Sequence, residues 1–184
     1  ALVTGAGRGI GMGASIALAE SGANVTLVSR TEEELKDLTD HINKQGHKAS
    51  YRVLDVNNEN AVSDFINDSA PFDILINNAG TNRPAKLIDT NIEDFDYVMS
   101  LNVRSVISLT KLVVQKMLDN KLKGSIINVS SQMGHVGGPN RTTYCSSKFA
   151  IEGFTKSLAI ELGPEGIRVN AVCPTFIQTP MTEP

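Results

Sequence analysis

The sequence predicts an α/β fold, with a doubly wound, mostly parallel sheet and helices on both faces. Short apolar runs alternate with segments of helical period along the whole chain. The runs are too continuously apolar to leave one face in water, which is typical of parallel strands buried on both sides. With 184 residues, of which 41% are hydrophobic, the chain has the length and apolar content of one domain. We therefore expect residues 1–184 to form a single domain.

Apolar segments at six places are predicted to be strands. They cover residues 1–4, 23–30, 49–54, 72–77, 125–130 and 167–173. Leu35, Leu38 and Ile42 follow the spacing of one helix face, and Gly46 then supplies a helix stop. Other helices are predicted over residues 12–21, 92–120 and 143–162. Sheets of this kind bind ligands at the carboxyl ends of their strands, so we expect the chemistry there.

Composition and charge exclude several classes of partner. A net charge of −3 gives no attraction to a nucleic acid backbone. Cys145 and Cys173 have neither metal-ligand spacing nor a partner cluster, so no disulfide framework and no metal site are predicted. The apolar stretches fall short of the ~18 residues of a membrane span, and no signal-peptide pattern opens the chain. We expect a cytoplasmic protein with neither a nucleic-acid nor a membrane partner.

A glycine-rich loop directly follows the first predicted strand. Its sequence is Thr4-Gly5-Ala6-Gly7-Arg8-Gly9-Ile10-Gly11, and a helical segment comes next. Glycines let the backbone approach a pyrophosphate closely, and the helix offers free N–H groups and the positive end of its dipole. A glycine-rich turn without function is the alternative, but the strand before the loop and the helix after it favour a dinucleotide site.

The end of the second predicted strand indicates which dinucleotide. An acidic residue that binds the adenosine ribose 2′-hydroxyl is expected there, but the strand ends in Ser29 and Arg30. Both side chains can bind a phosphate, as can Arg8 of the glycine loop. The alternative is that Arg30 only solvates the strand end. The pattern favours a 2′-phosphate, and hence NADP(H).

Tyr144 and Lys148 are four residues apart on a predicted helix and therefore share a face. A lysine ammonium near a phenol favours the phenolate, which brings its pKa towards the range useful for proton transfer. Such a pair is often an ordinary surface pair. Here Ser131, at the end of the preceding strand, could bind the same carbonyl oxygen as Tyr144.

Together these motifs resemble the short-chain dehydrogenase/reductase family over essentially the whole chain. The matching motifs, in the family's order and spacing, are Thr4-Gly5-x-x-x-Gly9-x-Gly11, Asn77-Asn78-Ala79-Gly80, Asn102, Ser131 and Tyr144-x-x-x-Lys148. The resemblance implies a Rossmann fold and hydride transfer between a nicotinamide and a carbonyl or secondary alcohol. It also implies that the chain lacks its first few residues, the C-terminal substrate lid and the last strand.

The resemblance assigns roles to individual residues. Tyr144 is expected to be the general acid and base, Ser131 to orient the substrate oxygen, Lys148 to lower the tyrosine pKa and bind the nicotinamide ribose, and Asn102 to hold a water. Asp55 is expected near the adenine, Asn78 along the adenine ribose, and Thr179 at the carboxamide. The full set expected at the cofactor is Gly5, Arg8, Gly9, Ile10, Gly11, Ser29, Arg30, Asp55, Val56, Asn78, Ala79, Gly80, Tyr144, Lys148, Pro174, Ile177 and Thr179.

The substrate is less sharply indicated. Segments such as 28–31, 70–73 and 144–146 resemble the dicarbonyl/L-xylulose reductase branch of the family, which implies a sugar, polyol or dicarbonyl. The candidate substrate contacts are Arg83, Gln132, His135 and Asn140. A 3-oxoacyl thioester reductase and a non-catalytic NADP-binding sensor or scaffold stay open as alternatives. Thr175 stands where the family usually has glycine. The resemblance implies a homotetramer or homodimer paired through the helices at 92–120 and 143–162.

Overall fold

A parallel sheet of six strands forms the centre of the molecule, of which the computed structural model describes residues 1–179. The strands are β1 Leu2–Thr4, β2 Asn24–Ser29, β3 Lys48–Val53, β4 Ile74–Asn77, β5 Ser125–Val129 and β6 Arg168–Val172. Their order across the sheet is β3-β2-β1-β4-β5-β6, with every neighbouring pair parallel. The winding therefore reverses between β1 and β4, as in a dinucleotide-binding Rossmann fold. The predicted fold class is confirmed.

Helices connect the strands and cover both faces of the sheet. They are α1 Gly9–Glu20, α2 Glu32–Lys44, α3 Glu59–Asp68, α4 Ile92–Met99, α5 Ser105–Asp119 and α6 Thr142–Leu162, with short 3₁₀ turns at Leu87–Asp89, Gln132–Gly134 and Gly163–Glu165. Neighbours such as Leu2 and Val3 point to opposite faces of β1, yet both are fully buried. Leu2 belongs to a core with α3 and α5, and Val3 to a core with α1 and α2.

The helix predicted over residues 92–120 contains one irregular turn. Between α4 and α5 the segment Ser100–Arg104 is π-helical, so one extra residue is accommodated without breaking the helix. The turn contains Asn102, which is buried. Single π-helical turns are frequent at functional sites, and this one contains the asparagine that matches a motif of the family.

The combined helix Ile92–Asp119 is long and apolar enough, by length and composition, to cross a membrane. The sequence contains no uninterrupted apolar stretch of about 18 residues, and this helix reaches its hydropathy only as an average that includes polar residues. Half of the most apolar window is buried inside the protein. Val106, Leu109, Val113 and Met117 on α5 belong to the buried residues of the fold. A buried core helix passes the same test, so the observation is weak evidence for a membrane.

Candidate active site

The glycine loop forms a cradle that side chains would fill. Gly5 and Gly9 have φ of +59° and +57°, a conformation that favours glycine. A Cβ at Gly5 would lie 2.9 Å from Ala79 Cα, and one at Gly11 would overlap the carbonyl oxygen of Gly5. Gly9 starts α1, so the exposed N–H groups of the helix face the same loop. The shape of the loop therefore fits a pyrophosphate, and its binding of one stays a prediction.

Asn78 fastens the glycine loop to the end of β4. Its Nδ2 atom donates to the carbonyl oxygens of Thr4 and Gly5, each at 3.0 Å. The hydroxyl of Thr4 in turn accepts from the backbone N–H groups of Asn78 and Ala79, also at 3.0 Å. Asn78 was expected along the adenine ribose. It does line the cleft, but its amide N–H groups are already used to hold the loop.

A cleft opens above the loop where the winding of the sheet reverses. Of the residues expected at the cofactor, those lining it are Gly5, Arg8, Gly9, Ile10, Ser29, Arg30, Asp55, Val56, Asn78, Ala79, Gly80 and Thr179. Gly11 packs beneath the loop against Gly5. The other four, Tyr144, Lys148, Pro174 and Ile177, are not among its lining residues. The cleft thus brings together the residues predicted for the adenosine and pyrophosphate part of a dinucleotide site, and their binding role stays a prediction.

The two arginines predicted to bind a 2′-phosphate, Arg30 after β2 and Arg8 in the glycine loop, already have polar side-chain partners. Arg30 Nη1 donates to Tyr97 Oη at 3.2 Å and lies 4.0 Å from Asp55 Oδ2. Arg8 Nη1 lies 3.6 Å from Glu34 Oε1. Both arginine side chains are more than half exposed, so these exposed ion pairs are weak and can be exchanged for a phosphate.

Glu34 is a charged lining residue of the cleft that the sequence analysis missed. It lies in the first turn of α2, and a Cβ at Gly7 would be 2.6 Å from its Oε2 atom. Thr31 and Glu34 have the three-residue spacing of a helix capping box. Because such a box lies at the start of a helix and α2 begins just after β2, this spacing is a sequence signal that places Glu34 beside the end of β2. Yet within residues 1–179 the Thr31 side chain makes no capping hydrogen bond, and Glu34 pairs with Arg8. A carboxylate therefore stands where a 2′-phosphate was predicted.

Tyr144 and Ser131 meet on the other side of β4. Tyr144 is in the first turn of α6, and Ser131 follows β5 and caps the 3₁₀ turn by accepting from Met133 N at 3.1 Å. Burial raises the pKa of Tyr144, and the Ser131 hydroxyl opposes that shift through a hydrogen-bonding interaction. Lys148 is not among the groups that shift the Tyr144 pKa in the free protein, where burial is the largest cause and the net direction is upward, so the predicted lowering of the tyrosine pKa by Lys148 is not seen.

Lys148 is itself a buried amine. Its Nζ atom donates to the carbonyl oxygen of Val129 at 2.9 Å and lies 5.6 Å from the centre of the Tyr144 ring. Burial lowers the pKa of Lys148 to about 8, with Cys173 and Glu152 opposing the shift. The lysine is thus fixed to β5 and is close to its own titration at neutral pH.

Asn102 is held by three hydrogen bonds. Its Nδ2 atom donates to Thr81 O at 2.9 Å and to Ser147 Oγ at 3.0 Å, and its Oδ1 atom accepts from Thr81 N at 2.8 Å. Both side-chain N–H groups are therefore used. A relay water at this residue would have to bind through oxygen, on the main chain or on the second Oδ1 lone pair.

The four candidate substrate contacts do not form one set. Arg83 pairs with Asp94 at 3.4 Å and lies over the Tyr97 ring. The backbone N–H of Gln132 donates to the carbonyl oxygen of Pro174 at 2.9 Å, and the Gln132 side chain is exposed. Asn140 has a φ of +59° and its carbonyl accepts from Ala85. His135 turns instead towards Glu152 and Cys173.

A cluster of His135, Glu152 and Cys173 lies beside these residues. The three donor atoms lie within 4.8 Å of one another. Cys173 Sγ is 3.2 Å from Glu152 Oε1 and 3.3 Å from His135 Nε2. Burial and Glu152 raise the pKa of the Cys173 thiol. Sequence spacing could not reveal this cluster, because its members come from a loop, a helix and a strand end.

Comparison with known proteins decides the family. The sequence model described as short chain dehydrogenase matches residues 1–184. The chain belongs to this family. Its enzymes are oxidoreductases that act on alcohol and carbonyl groups, and their structures include complexes with NAD(P) cofactors. The sequence resemblance is therefore confirmed, while the roles of individual residues stay predictions.

Individual relatives of this short-chain dehydrogenase differ in their substrates. The chain is 39% identical over 181 residues to L-xylulose reductase of Mus musculus, an alignment with 98% of this chain and 72% of that protein. It is 38% identical over 186 residues to a 3-oxoacyl-acyl-carrier-protein reductase of Thermotoga maritima, covering 99% and 75%. The actinorhodin polyketide ketoreductase, solved with NADPH, superposes with a TM-score of 0.95 at 34% identity, covering 98% and 71%.

Proposed function

We propose that this short-chain dehydrogenase is an NADP(H)-dependent enzyme that interconverts a carbonyl and a secondary alcohol on a sugar, polyol or dicarbonyl. The observation that carries the proposal is the meeting of Tyr144, Lys148 and Ser131 at the carboxyl edge of the sheet, the same edge at which the glycine loop follows β1. The cradle fits a dinucleotide and the three side chains fit carbonyl chemistry. We further propose that it acts in the cytoplasm.

The residues divide the chemistry between them. The cofactor, when bound, supplies the hydride to the carbonyl carbon or accepts it from the alcohol. The Tyr144 hydroxyl donates its proton to the carbonyl oxygen during reduction and takes it back during oxidation. The Ser131 hydroxyl donates a hydrogen bond to the same oxygen and holds it beside the phenol. Lys148 supports the phenolate when it is protonated, since a nearby cation favours that form.

The preference for NADP(H) rests on charge at the end of β2. Arg30 and Ser29 line the cleft, with Arg8 across from them on the glycine loop. These groups can surround a 2′-phosphate with charge-assisted hydrogen bonds. The NADPH of the polyketide ketoreductase supports this assignment by likeness. Glu34 opposes it, so binding of the phosphate requires Arg8 to leave its carboxylate partner.

NAD(H) is the second candidate cofactor, and Glu34 is the observation that favours it. A carboxylate beside the cleft can accept hydrogen bonds from ribose hydroxyls and repels a phosphate. For the substrate, identities of 39% to L-xylulose reductase and 38% to the 3-oxoacyl reductase do not separate the two branches. A 3-oxoacyl thioester is therefore the second candidate substrate.

A substrate panel tests the proposal. Oxidation of NADPH and of NADH is followed with the full-length protein against ketoses, α-dicarbonyls and a 3-oxoacyl thioester, with Tyr144→Phe as the control for enzymatic turnover. We expect turnover of a ketose or dicarbonyl with NADPH that the variant lacks. Turnover of the thioester alone would contradict the substrate class. NADPH binding without any turnover would support the sensor or scaffold alternative.

A further inference from the structure

We propose that His135, Glu152 and Cys173 form a binding site for Zn²⁺ beside the catalytic residues. The site is made by three separate parts of the fold. His135 follows the 3₁₀ turn after Ser131, Glu152 lies one helical turn beyond Lys148 on α6, and Cys173 directly follows β6. Imidazole, carboxylate and thiolate are all established zinc ligands. The metal is outside the reaction proposed above and does not depend on it.

The distances between the donor atoms fit a tetrahedral metal. With Zn–S of about 2.3 Å and Zn–N and Zn–O of about 2.0–2.2 Å, the edges of a tetrahedron are roughly 3.4–3.6 Å. The sulfur lies 3.3 Å from His135 Nε2 and 3.2 Å from Glu152 Oε1, and Nε2 lies 3.6 Å from Glu152 Oε2. The two edges from the sulfur therefore need to change by only a few tenths of an ångström. Nε2 lies near the second carboxylate oxygen, so Glu152 would bind the metal through both oxygens or turn its carboxylate until one oxygen serves both edges.

The burial of the three side chains suits a zinc site with one coordination position open to solvent. Glu152 is 7% exposed, which fixes its carboxylate, and Cys173 is half-buried. The His135 side chain is 51% exposed, so solvent reaches the cluster from that side. Three protein ligands with a water in the fourth position are a common zinc arrangement. The half-open cluster allows the metal to enter without unfolding.

Ser130 provides a second, independent observation. It is 4% exposed, and its hydroxyl forms no hydrogen bond of normal geometry within residues 1–179, although a weaker hydrogen-bonding interaction with the Cys173 thiol lowers the pKa of that thiol. A Cβ at Gly134 would lie 2.9 Å from this oxygen and 3.0 Å from Glu152 Cγ, so the loop packs closely on the cluster. A metal-bound thiolate is a better acceptor than a thiol, and would give the buried hydroxyl a partner.

Occupation of the site would fix one loop of the active site. The loop that begins at Ser131 would be joined through His135 to the helix that contains Tyr144 and Lys148. Gln132 already binds the backbone of Pro174 just after Cys173, so the metal would strengthen an existing junction. We infer that Zn²⁺ binding here stabilises the folded protein, because it adds ligand bonds that the unfolded chain lacks.

Binding can be measured with the metal alone. The purified full chain, reduced and treated with chelator, is titrated with ZnCl₂ by calorimetry and with CoCl₂ by absorption. We expect one equivalent at micromolar concentration or below, a rise in Tm, and a thiolate-to-cobalt charge-transfer band in the near ultraviolet. Cys173→Ser should remove the band, and His135→Gln should weaken binding roughly tenfold or more. Both changes are conservative, and His135 is half exposed.

The chain supplies matched controls in its other cysteine and another histidine. Cys145→Ser and His47→Gln change the same residue types outside the cluster, so they should leave stoichiometry and affinity unchanged. The proposal is overturned if no binding occurs below millimolar metal. It is also overturned if the cobalt band persists in Cys173→Ser, or if the two control variants lose binding to the same extent as the cluster variants.

Discussion

The Nζ atom of Lys148 lies 5.6 Å from the centre of the Tyr144 ring, but its hydrogen bond goes to the carbonyl oxygen of Val129, 2.9 Å away. The amine is thus anchored to β5 and approaches the face of the phenol ring. Burial raises the pKa of Tyr144 and lowers that of Lys148 to about 8. In the free protein, burial therefore disfavours the charged form of each group.

Removal of the phenol hydroxyl tests the assignment of Tyr144. Tyr144→Phe keeps the ring and its packing, so we expect turnover to fall by a factor on the order of 10²–10⁴ through loss of general acid catalysis. NADPH affinity, measured by fluorescence titration, should change little because the hydroxyl is assigned to the substrate oxygen. Near-normal kcat in this variant would contradict the mechanism.

The burial of Lys148 predicts a pH-dependent stability. Its folded pKa is about 8 and its ordinary value is 10.5, so the unfolded chain binds the proton more tightly. Burial of the charged amine therefore costs free energy below pH 8, and the cost disappears as pH rises from about 8 to 10.5. The full free-energy cost of burying the charged amine is on the order of 3 kcal/mol.

The matched variant for this prediction is Lys148→Met, which has a similar length and no charge. We expect its free energy of unfolding to exceed that of the wild type at pH 7 and the difference to shrink towards pH 10. Denaturant titrations at both pH values measure this. Parallel pH dependences for the two proteins would show that Lys148 is not the buried charge inferred here.

Glu34 predicts a limit on NADPH affinity. Glu34→Gln removes a carboxylate from the 2′-phosphate region and frees Arg8, so we expect the KM for NADPH to fall about fivefold, or about 1 kcal/mol for an exposed ion pair. The KM for NADH should stay the same or rise. Glu33→Gln, one residue earlier in α2 and exposed, is the control and should change neither.

The basic residues at the end of β2 predict the opposite change. Ser29→Asp combined with Arg30→Leu places a carboxylate where a phosphate is expected to bind and removes one charge-assisted contact. We expect preference to shift towards NADH by roughly tenfold or more, since one such contact contributes roughly 1.5–3 kcal/mol. Competition kinetics measure the ratio, and a wild-type preference for NADH would refute the NADP(H) assignment.

An apolar stripe on α6 predicts self-association into a homodimer or homotetramer. Phe149 and Ile160 are 50% and 80% exposed, and residues eleven apart on a helix share a face. Gly153 lies between them with open space around it, which allows a second helix to approach closely. Light scattering at micromolar concentration should show an oligomer, and Ile160→Glu should shift it towards monomer. Ile88→Glu, at a similarly exposed residue in the 3₁₀ turn Leu87–Asp89, should not.

The sequence by itself determined the alternation of strands and helices along the chain, the glycine loop and the Tyr144–Lys148 pair. Each of these depends on local chain geometry: alternation of apolar runs, backbone freedom at glycine, and the four-residue spacing of a helix face. The π-helical turn at Ser100–Arg104 was not foreseen, because an inserted residue changes the apolar period too little to be recognised over one turn.

Only the tertiary structure decided the electrostatics around these motifs. It placed Glu34 against Arg8, gathered His135, Glu152 and Cys173, and buried Lys148 enough to lower its pKa. Members of these groups lie up to tens of residues apart with no periodic relation between them. Their proximity follows from sheet order and helix packing, and a pKa depends on what surrounds a group in space rather than on its neighbours along the chain.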